Sequence, residues 1–319
     1  MEKPNIPGYK IKKTLGAGGM SRVYLAVDDK LKRPVALKVL LPTMTDNSRL
    51  TRRFIKEART AAHLHHSNIV SIYDVGKEKD CYYIAMEHLE ESLKDKLNKN
   101  GSLKPTEALH IIKETAKALS YAHKKGYIHR DIKPDNIMFR SDGAVVLVDF
   151  GIAKALHSDT KLTRTGVSIG TPKYMSPEQV RALKVDGRAD IYSLGIVLYE
   201  TLVGKAPYQG KDAVSLAVKH MEEPVPQFSG RLKPYQPLLG KMLAKSPKDR
   251  VKDAEGLIRL IDATLYQIKQ EKQAATTKII KPPGKIKTAK SSKARVVIIL
   301  AVIAALIVLG IFLYTKFFS

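Results

Sequence analysis

The sequence predicts an α+β protein of two lobes, a small β-rich one followed by a larger helical one, with a single apolar span near the C-terminus. Three observations carry this. Residues 9–90 alternate apolar and polar positions in short runs broken by Gly and Pro. Residues 92–125 and 176–266 change to a helical period. From Val296 to Tyr314, nineteen residues pass without a charge.

In the first lobe, the runs YKIKKTL, VYLAV, VALKVL, SIYDV and CYYIAME read as strands of a mostly antiparallel sheet. One helical stretch, Ser48–His63, interrupts them. A cleft between such a sheet and a helical body is a natural ligand site. With 319 residues, 44% of them hydrophobic, the chain can bury a sizeable core, which excludes a disordered protein. The single cysteine, Cys81, excludes an intramolecular disulfide and suits a reducing compartment. Set in a strand-like run without a ligand cluster at metal spacing, it reads as a small buried hydrophobe, and no structural zinc is expected.

Two segments compete as membrane spans. Ile191–Val203 is short, bracketed by Asp190 and Gly204, and reads as a buried core helix. Val296–Tyr314 shows no polar face and, at 1.5 Å per residue, approaches the ~30 Å of a bilayer's hydrocarbon layer. Lys281, Lys285, Lys287, Lys290, Lys293 and Arg295 precede it and only Lys316 follows. The positive-inside rule therefore puts the N-terminal part in the cytoplasm, on an inner membrane crossed once, and residues 315–319 outside. Those few residues are too short for a sensor domain, which counts against a receptor as the main role. Ala301 and Ala305 are a small-xxx-small pair that could pack two spans into a homodimer.

The formal net charge of +24 would suit nucleic acid, acidic substrates or an anionic membrane. Its location decides. Residues 267–295 hold nine Lys or Arg against one acid, Glu271, and run directly into the span. Membrane lipid is therefore the expected partner and nucleic acid is not. With Pro282, Pro283 and Gly284 this stretch reads as a linker beside anionic lipid, although its composition equally suits a plain soluble tether.

Chemistry concentrates in a few motifs. Leu15-Gly16-Ala17-Gly18-Gly19-Met20-Ser21-Arg22-Val23 joins two strand-like runs, and its glycines let backbone amides approach phosphate oxygens. A plain Gly-rich hairpin turn would look the same. The motif opens a strand, unlike a dinucleotide-binding loop, and lacks the Gly-Lys-Ser/Thr ending of a P-loop. Lys38, within Val35-Ala36-Leu37-Lys38-Val39, needs an anionic partner in so apolar a strand, and Glu57 on the following helix is the candidate. In His129-Arg130-Asp131-Ile132-Lys133-Pro134-Asp135-Asn136, Asp131 can accept a hydroxyl proton, Lys133 can neutralise a phosphoryl group and Asn136 can ligate a metal. Asp149-Phe150-Gly151 follows the β-run Val145–Val148 and offers a second hard oxygen ligand, as suits Mg²⁺.

In this order, with Ser176-Pro177-Glu178 after them, the motifs resemble those of the eukaryotic-type (Hanks-type) serine/threonine protein kinases over roughly residues 9–266. The Gly-Gly-Met-Ser loop, Ser-Pro-Glu-Gln, the basic linker and one span resemble the bacterial single-pass membrane branch. The resemblance implies a bilobal protein-kinase fold, with N-lobe about 9–86 and C-lobe about 90–266. It also implies transfer of the ATP γ-phosphate to Ser or Thr of protein substrates, with Mg²⁺, or Mn²⁺ in its place. By the resemblance Leu15 to Ser21, Val23 and Ala36 enclose the nucleotide, and Lys38 contacts its α/β-phosphates and pairs with Glu57. Met86 is the gatekeeper, and Glu87 and Leu89 supply hinge backbone bonds. Asp131 is the base, Lys133 steadies the γ-phosphate, and Asn136 and Asp149 hold the metal. Glu178, Arg250 and Asp190 are structural.

Two positions depart from the family pattern: Ser21 stands at the third glycine and Ser176 at the usual Ala of Ala-Pro-Glu. Both substitutes are small. Lys133, the long segment before Ser176 and Gly170-Thr171-Pro172 resemble Ser/Thr rather than Tyr kinases. Thr163 and Thr165 match the paired threonines of bacterial relatives, implying self-activation by autophosphorylation, with Arg130 receiving the phosphate. A nucleotide-binding scaffold without turnover is the competing class, and the intact Lys38, Asp131, Asn136 and Asp149 argue against it.

Overall fold

The computed structural model describes residues 4–18, 21–41, 48–79, 81–150 and 172–280, apart from the side chains of 48–50, 53, 57, 60 and 275–280. The first lobe is a five-stranded sheet in the order β1-β2-β3-β5-β4. Its strands are β1 (Tyr9–Ala17), β2 (Ser21–Asp28), β3 (Pro34–Leu40), β4 (Ile72–Glu78) and β5 (Cys81–Glu87), and every neighbour is antiparallel. Between β3 and β4 lies α1 (Ser48–Ala62).

Strand β3 is buried along almost its whole length because it is the middle strand. Its two-residue period sends Val35, Leu37 and Val39 into one apolar cluster with Tyr24, Ala26 and Ala85. Ala36 and Leu40 go to the opposite face, among Phe54 and Ala58 of α1, Ile84 and Met86. Lys38 has the parity of that second face. A slip of one residue would carry it away from α1, so the apolar pattern that sets the register also aims the lysine.

A small second sheet follows, β6 (Glu91–Ser92), β7 (Ile137–Phe139) and β8 (Val145–Leu147), in that order. The helices are α2 (Leu93–Asn100), α3 (Pro105–Lys124), α4 (Pro177–Val180), α5 (Arg188–Val203), α6 (Ala213–Glu222), α7 (Gln236–Leu243) and α8 (Ala254–Ile280). Ser92 caps α2 reciprocally with Asp95, and Pro105 opens α3 where its missing N–H is not needed. Helix α5, the expected core helix, is buried nearly all round and ends at Gly204 with φ +86°. It packs on α3 and α7. Ala189, Ile191, Leu194, Ile196, Val197 and Leu198 are each fully inaccessible.

The chain divides into two units, residues 1–266 and 267–319. Helix α8 continues to Ile280 through residues read above as linker. Gln, Lys, Glu and Ala dominate there, and such residues hold helical backbone without needing a core. The expected span, 296–314, lies outside the described residues, and among those residues no helix is long and apolar enough to cross a membrane. Cys81 lies half-buried in β5.

Candidate active site

The hairpin β7–β8 builds the centre of the site. Ile137 pairs with Leu147, and Val148 N–H donates to the Asn136 carbonyl at 3.0 Å. The register therefore sets Asn136 and Asp149 side by side at the open end of the hairpin, although thirteen positions separate them in sequence. Asp149 has φ +55°, an uncommon left-handed backbone for a non-glycine residue. Next to it Phe150 turns inward, is 1% exposed, and packs its ring 4.8 Å from that of His129. The buried phenyl and the turned backbone together leave the Asp149 carboxylate at the cleft.

Lys38 reaches that carboxylate from β3, Nζ to Oδ1 at 2.8 Å. Burial pushes the Asp149 carboxyl up, but the Lys38 ammonium outweighs it and holds the group below the usual carboxylate range. Glu57 falls on α1 between the buried Phe54 and Ala58, while its side chain is outside the described ones. The structure thus brings Lys38 to Asp149, a pairing the sequence did not suggest. Its expected pairing with Glu57 lies outside what is described.

The loop before Asn136 is held by donors and acceptors on every side. His129 is fully buried and its Nε2 bonds the Val148 carbonyl at 2.9 Å. Its Nδ1 accepts Asp131 N–H at 3.3 Å, so the ring is neutral with its proton on Nε2. Burial lowers its pKa, which keeps it in that form. Asp190, from α5, accepts His129 N–H at 2.8 Å and Arg130 N–H at 2.7 Å. Its second partner on Oδ2 is His123 at 2.8 Å. Burial opposes its charge, yet the His123 hydrogen bond and the surrounding donors leave it below the usual range. The product of this bracing is the aim of Asp131. Its side chain keeps 21% exposure and lies 3.3 Å from Lys133 Nζ. Asn136 Nδ2 donates to the Asp131 carbonyl at 2.8 Å and approaches Oδ2 at 3.3 Å, which leaves Asn136 Oδ1 for a cation.

Asn136 Oδ1 and the Asp149 carboxylate are hard oxygen donors, the chemistry Mg²⁺ prefers. Among the described residues no group of three or more His, Cys, Asp or Glu could hold a metal. A divalent ion here would therefore take its remaining ligands from phosphate or water, as Mg²⁺ at nucleotide sites does.

Above this centre, Ala36, Met86 and Leu89 share one apolar cluster with Val148, and Val23 packs against it. Met86 is opposite Ala36 in the β3–β5 ladder. In the turn region Gly16 pairs with Val23, and a register shift after Thr14 leaves Leu15 42% exposed. Gly18 N–H donates to the Ser21 carbonyl at 2.8 Å, closing the turn across Gly19 and Met20, which lie outside the described residues. The Glu87 carboxylate is bound by Arg140, which also reaches the Ser67 carbonyl at 2.6 Å. Met138 joins the same cluster from below. The sequence reading missed it, though its place in the β7 alternation, half-buried between buried Ile137 and Phe139, marks it.

Below the centre, Glu178 and Arg250 make a buried pair of two bonds, 2.6 and 2.7 Å. His123, Gln179 and Glu200 are further residues the sequence reading passed over. Glu200 is 4% exposed and binds Lys173 Nζ at 2.9 Å and Tyr174 Oη at 2.7 Å, which seats the segment entering α4. Arg130 is described, with φ +64°, whereas Thr163 and Thr165 lie outside the described residues.

The family model described as protein kinase domain matches residues 9–259. The chain is 44% identical over 255 residues to the serine/threonine-protein kinase PrkC of Bacillus subtilis, covering 78% of this chain and 39% of that protein. It is 41% identical over 255 residues to the serine/threonine-protein kinase PknB of Mycobacterium leprae, covering 77% of this chain and 41% of that one. The matched stretch thus spans about two fifths of these relatives.

Proposed function

Because the chain belongs to the protein kinase domain family, we propose that it is a membrane-anchored serine/threonine protein kinase that moves the γ-phosphate of ATP to protein hydroxyls. One observation carries this reading. Lys38, Asp131, Lys133, Asn136 and Asp149 come from a strand of the first lobe and two loops of the second yet converge on one cleft, each held by named bonds. A scaffold without turnover would not need that convergence.

In the proposed reaction the acceptor hydroxyl oxygen forms a bond to the γ-phosphorus while the bond from that phosphorus to the β,γ-bridging oxygen breaks. ADP leaves with the electron pair, and the hydroxyl proton goes to Asp131. Lys133 neutralises charge on the transferring group, and Lys38 holds the α/β-phosphates while orienting Asp149. Asn136 and Asp149 would hold Mg²⁺, which when bound would supply further neutralisation of phosphate oxygens. Val23, Ala36, Met86, Leu89 and Met138 exclude water around the adenine ring, and the backbone of 16–21 covers the phosphates. Placement and electrostatics supply most of such a rate.

Self-activation by phosphorylation of Thr163 or Thr165, read by Arg130, completes the proposal, as does anchoring through 296–314 beside anionic lipid. The test uses the full chain in anionic vesicles with labelled ATP and Mg²⁺, against Asp131→Asn, with phosphosite mapping. Label on Thr163 or Thr165 that disappears in the variant supports the reading. ATP binding without label on the chain or on a basic acceptor protein would reject it in favour of the scaffold.

A further inference from the structure

Gln179 occupies the third helical position of α4, directly after Glu178, whose carboxylate is pinned by Arg250. Its side-chain oxygen accepts from Ser176 N–H at 3.0 Å and from Ser176 Oγ at 3.1 Å, closing a capping box. Because the oxygen is committed to donors, the amide orientation is fixed by its partners. The amide nitrogen then points away from α4 and donates to the Arg130 carbonyl at 3.0 Å, forty-nine positions back in the chain.

That carbonyl belongs to the same rigid peptide unit as the Asp131 N–H. The unit is gripped on both sides, C=O by Gln179 and N–H by His129 Nδ1. The preceding peptide is gripped by Asp190. Between the two grips sits Arg130 in a left-handed conformation, φ +64°, uncommon for a residue other than glycine. Released from Gln179, the 130–131 peptide can rotate toward an unstrained backbone. Any such rotation changes the direction of the Asp131 Cα–Cβ bond relative to Lys133 and Asn136, which the carboxylate meets at 3.3 Å each.

We infer that Gln179 is a positioning residue for the reaction: by holding the Arg130 carbonyl it fixes the peptide plane that aims the Asp131 carboxylate. The inference rests on the kinase reading above. It adds a direct link between the helix that follows the 151–171 segment and the loop that carries the base, made by a side chain whose neighbour, Glu178, is anchored in the lobe.

Gln179→Glu separates the two bonds. Glutamate keeps an acceptor for Ser176, and a capping box takes Glu as readily as Gln. It removes the donor and sets a carboxylate against the Arg130 carbonyl. Gln179→Leu removes both bonds and serves as a second variant. The experiment measures kcat and KM for ATP on the full chain, and amide hydrogen exchange over residues 127–136, for wild type and both variants. The expected result is a kcat at least tenfold lower in Gln179→Glu, a KM for ATP within twofold of wild type, and faster exchange confined to 127–136. A kcat within twofold of wild type together with unchanged exchange would overturn the inference. If the wild-type chain itself transfers no phosphate, the kinase reading fails by its own control. The exchange data then decide alone: faster exchange at 127–136 in both variants supports the grip on the loop, and unchanged protection rejects it.

Discussion

The Arg250 guanidinium and the Glu178 carboxylate meet through two parallel bonds, 2.6 and 2.7 Å long, with neither group in contact with solvent beyond a few per cent. Arg250 spends its remaining donors on the carbonyls of Ala244, Lys245 and Arg188, so its charge is matched on every side. Removing one partner leaves the other buried and unmatched. Arg250→Met should therefore cost about 3–5 kcal/mol. In a domain of this size that is a fall in Tm of about 10 °C, read by thermal denaturation. A shift of under two degrees would show that the pair is dispensable.

Lys38 and Asp149 make the corresponding pair at the cleft, and here the loss should appear in rate more than in stability. Lys38→Met removes the ammonium that keeps Asp149 ionised and in place. Phosphate transfer should fall by about 100-fold or more, the scale of losing one preorganised electrostatic partner. Circular dichroism should be unchanged. A variant with near wild-type turnover would remove Lys38 from the mechanism.

Packing makes a prediction of the opposite kind at Gly195, within α5. Alanine is the better helix former by about 1 kcal/mol. A Cβ there would stand 2.8 Å from Leu243 Cδ2 and 2.9 Å from Met242 Cβ, and the latter is too near its backbone to move freely. Overpacking should win, and Gly195→Ala should lower stability by about 1–3 kcal/mol in denaturant titration. Any gain in stability would mean that α5 and α7 can part at little cost.

His220 predicts a pH dependence. It is fully inaccessible, its Nδ1 meets Tyr192 Oη at 3.1 Å, Tyr208 packs edge-on against its ring and Lys245 Nζ sits on its carbonyl at 2.9 Å. Burial first, then the Lys245 charge, lowers its pKa to about 4. Between the unfolded value near 6.5 and that folded value, the unfolded chain binds a proton that the folded chain refuses. Stability should therefore be complete above about pH 6.5 and decline by about 3 kcal/mol as pH falls toward 4. Burial lowers His129 in the same direction. His220→Gln should flatten part of the decline in Tm between pH 6.5 and 4.5, and an equally steep profile would assign it elsewhere.

Much of the site was legible in the chain because its residues are chemically conspicuous. Lys38 stands out in an apolar strand, and Asp131, Asn136 and Asp149 stand beside proline, glycine and β-runs that announce a loop. The core helix α5 was legible for the same reason, since an apolar stretch bracketed by Asp190 and Gly204 has few other homes. The residues missed are those whose partners are remote. His123, Gln179 and Glu200 are ordinary polar residues on helices until the fold sets Asp190, the Arg130 carbonyl and Tyr174 beside them.

The sequence by itself therefore determined the β-then-helical order of the lobes, the apolar strand that carries Lys38, and the identity of the polar groups at the cleft. Local periodicity and side-chain chemistry are properties of neighbouring residues. Tertiary structure alone decided that Lys38 meets Asp149 at 2.8 Å, that Arg130 is held left-handed between Asp190 and Gln179, and that His220 is shut away from water. Each of these needs segments distant in the chain to be brought together. Burial and the pairing of buried polar groups, which set these contacts, are fixed only when the whole lobe has closed.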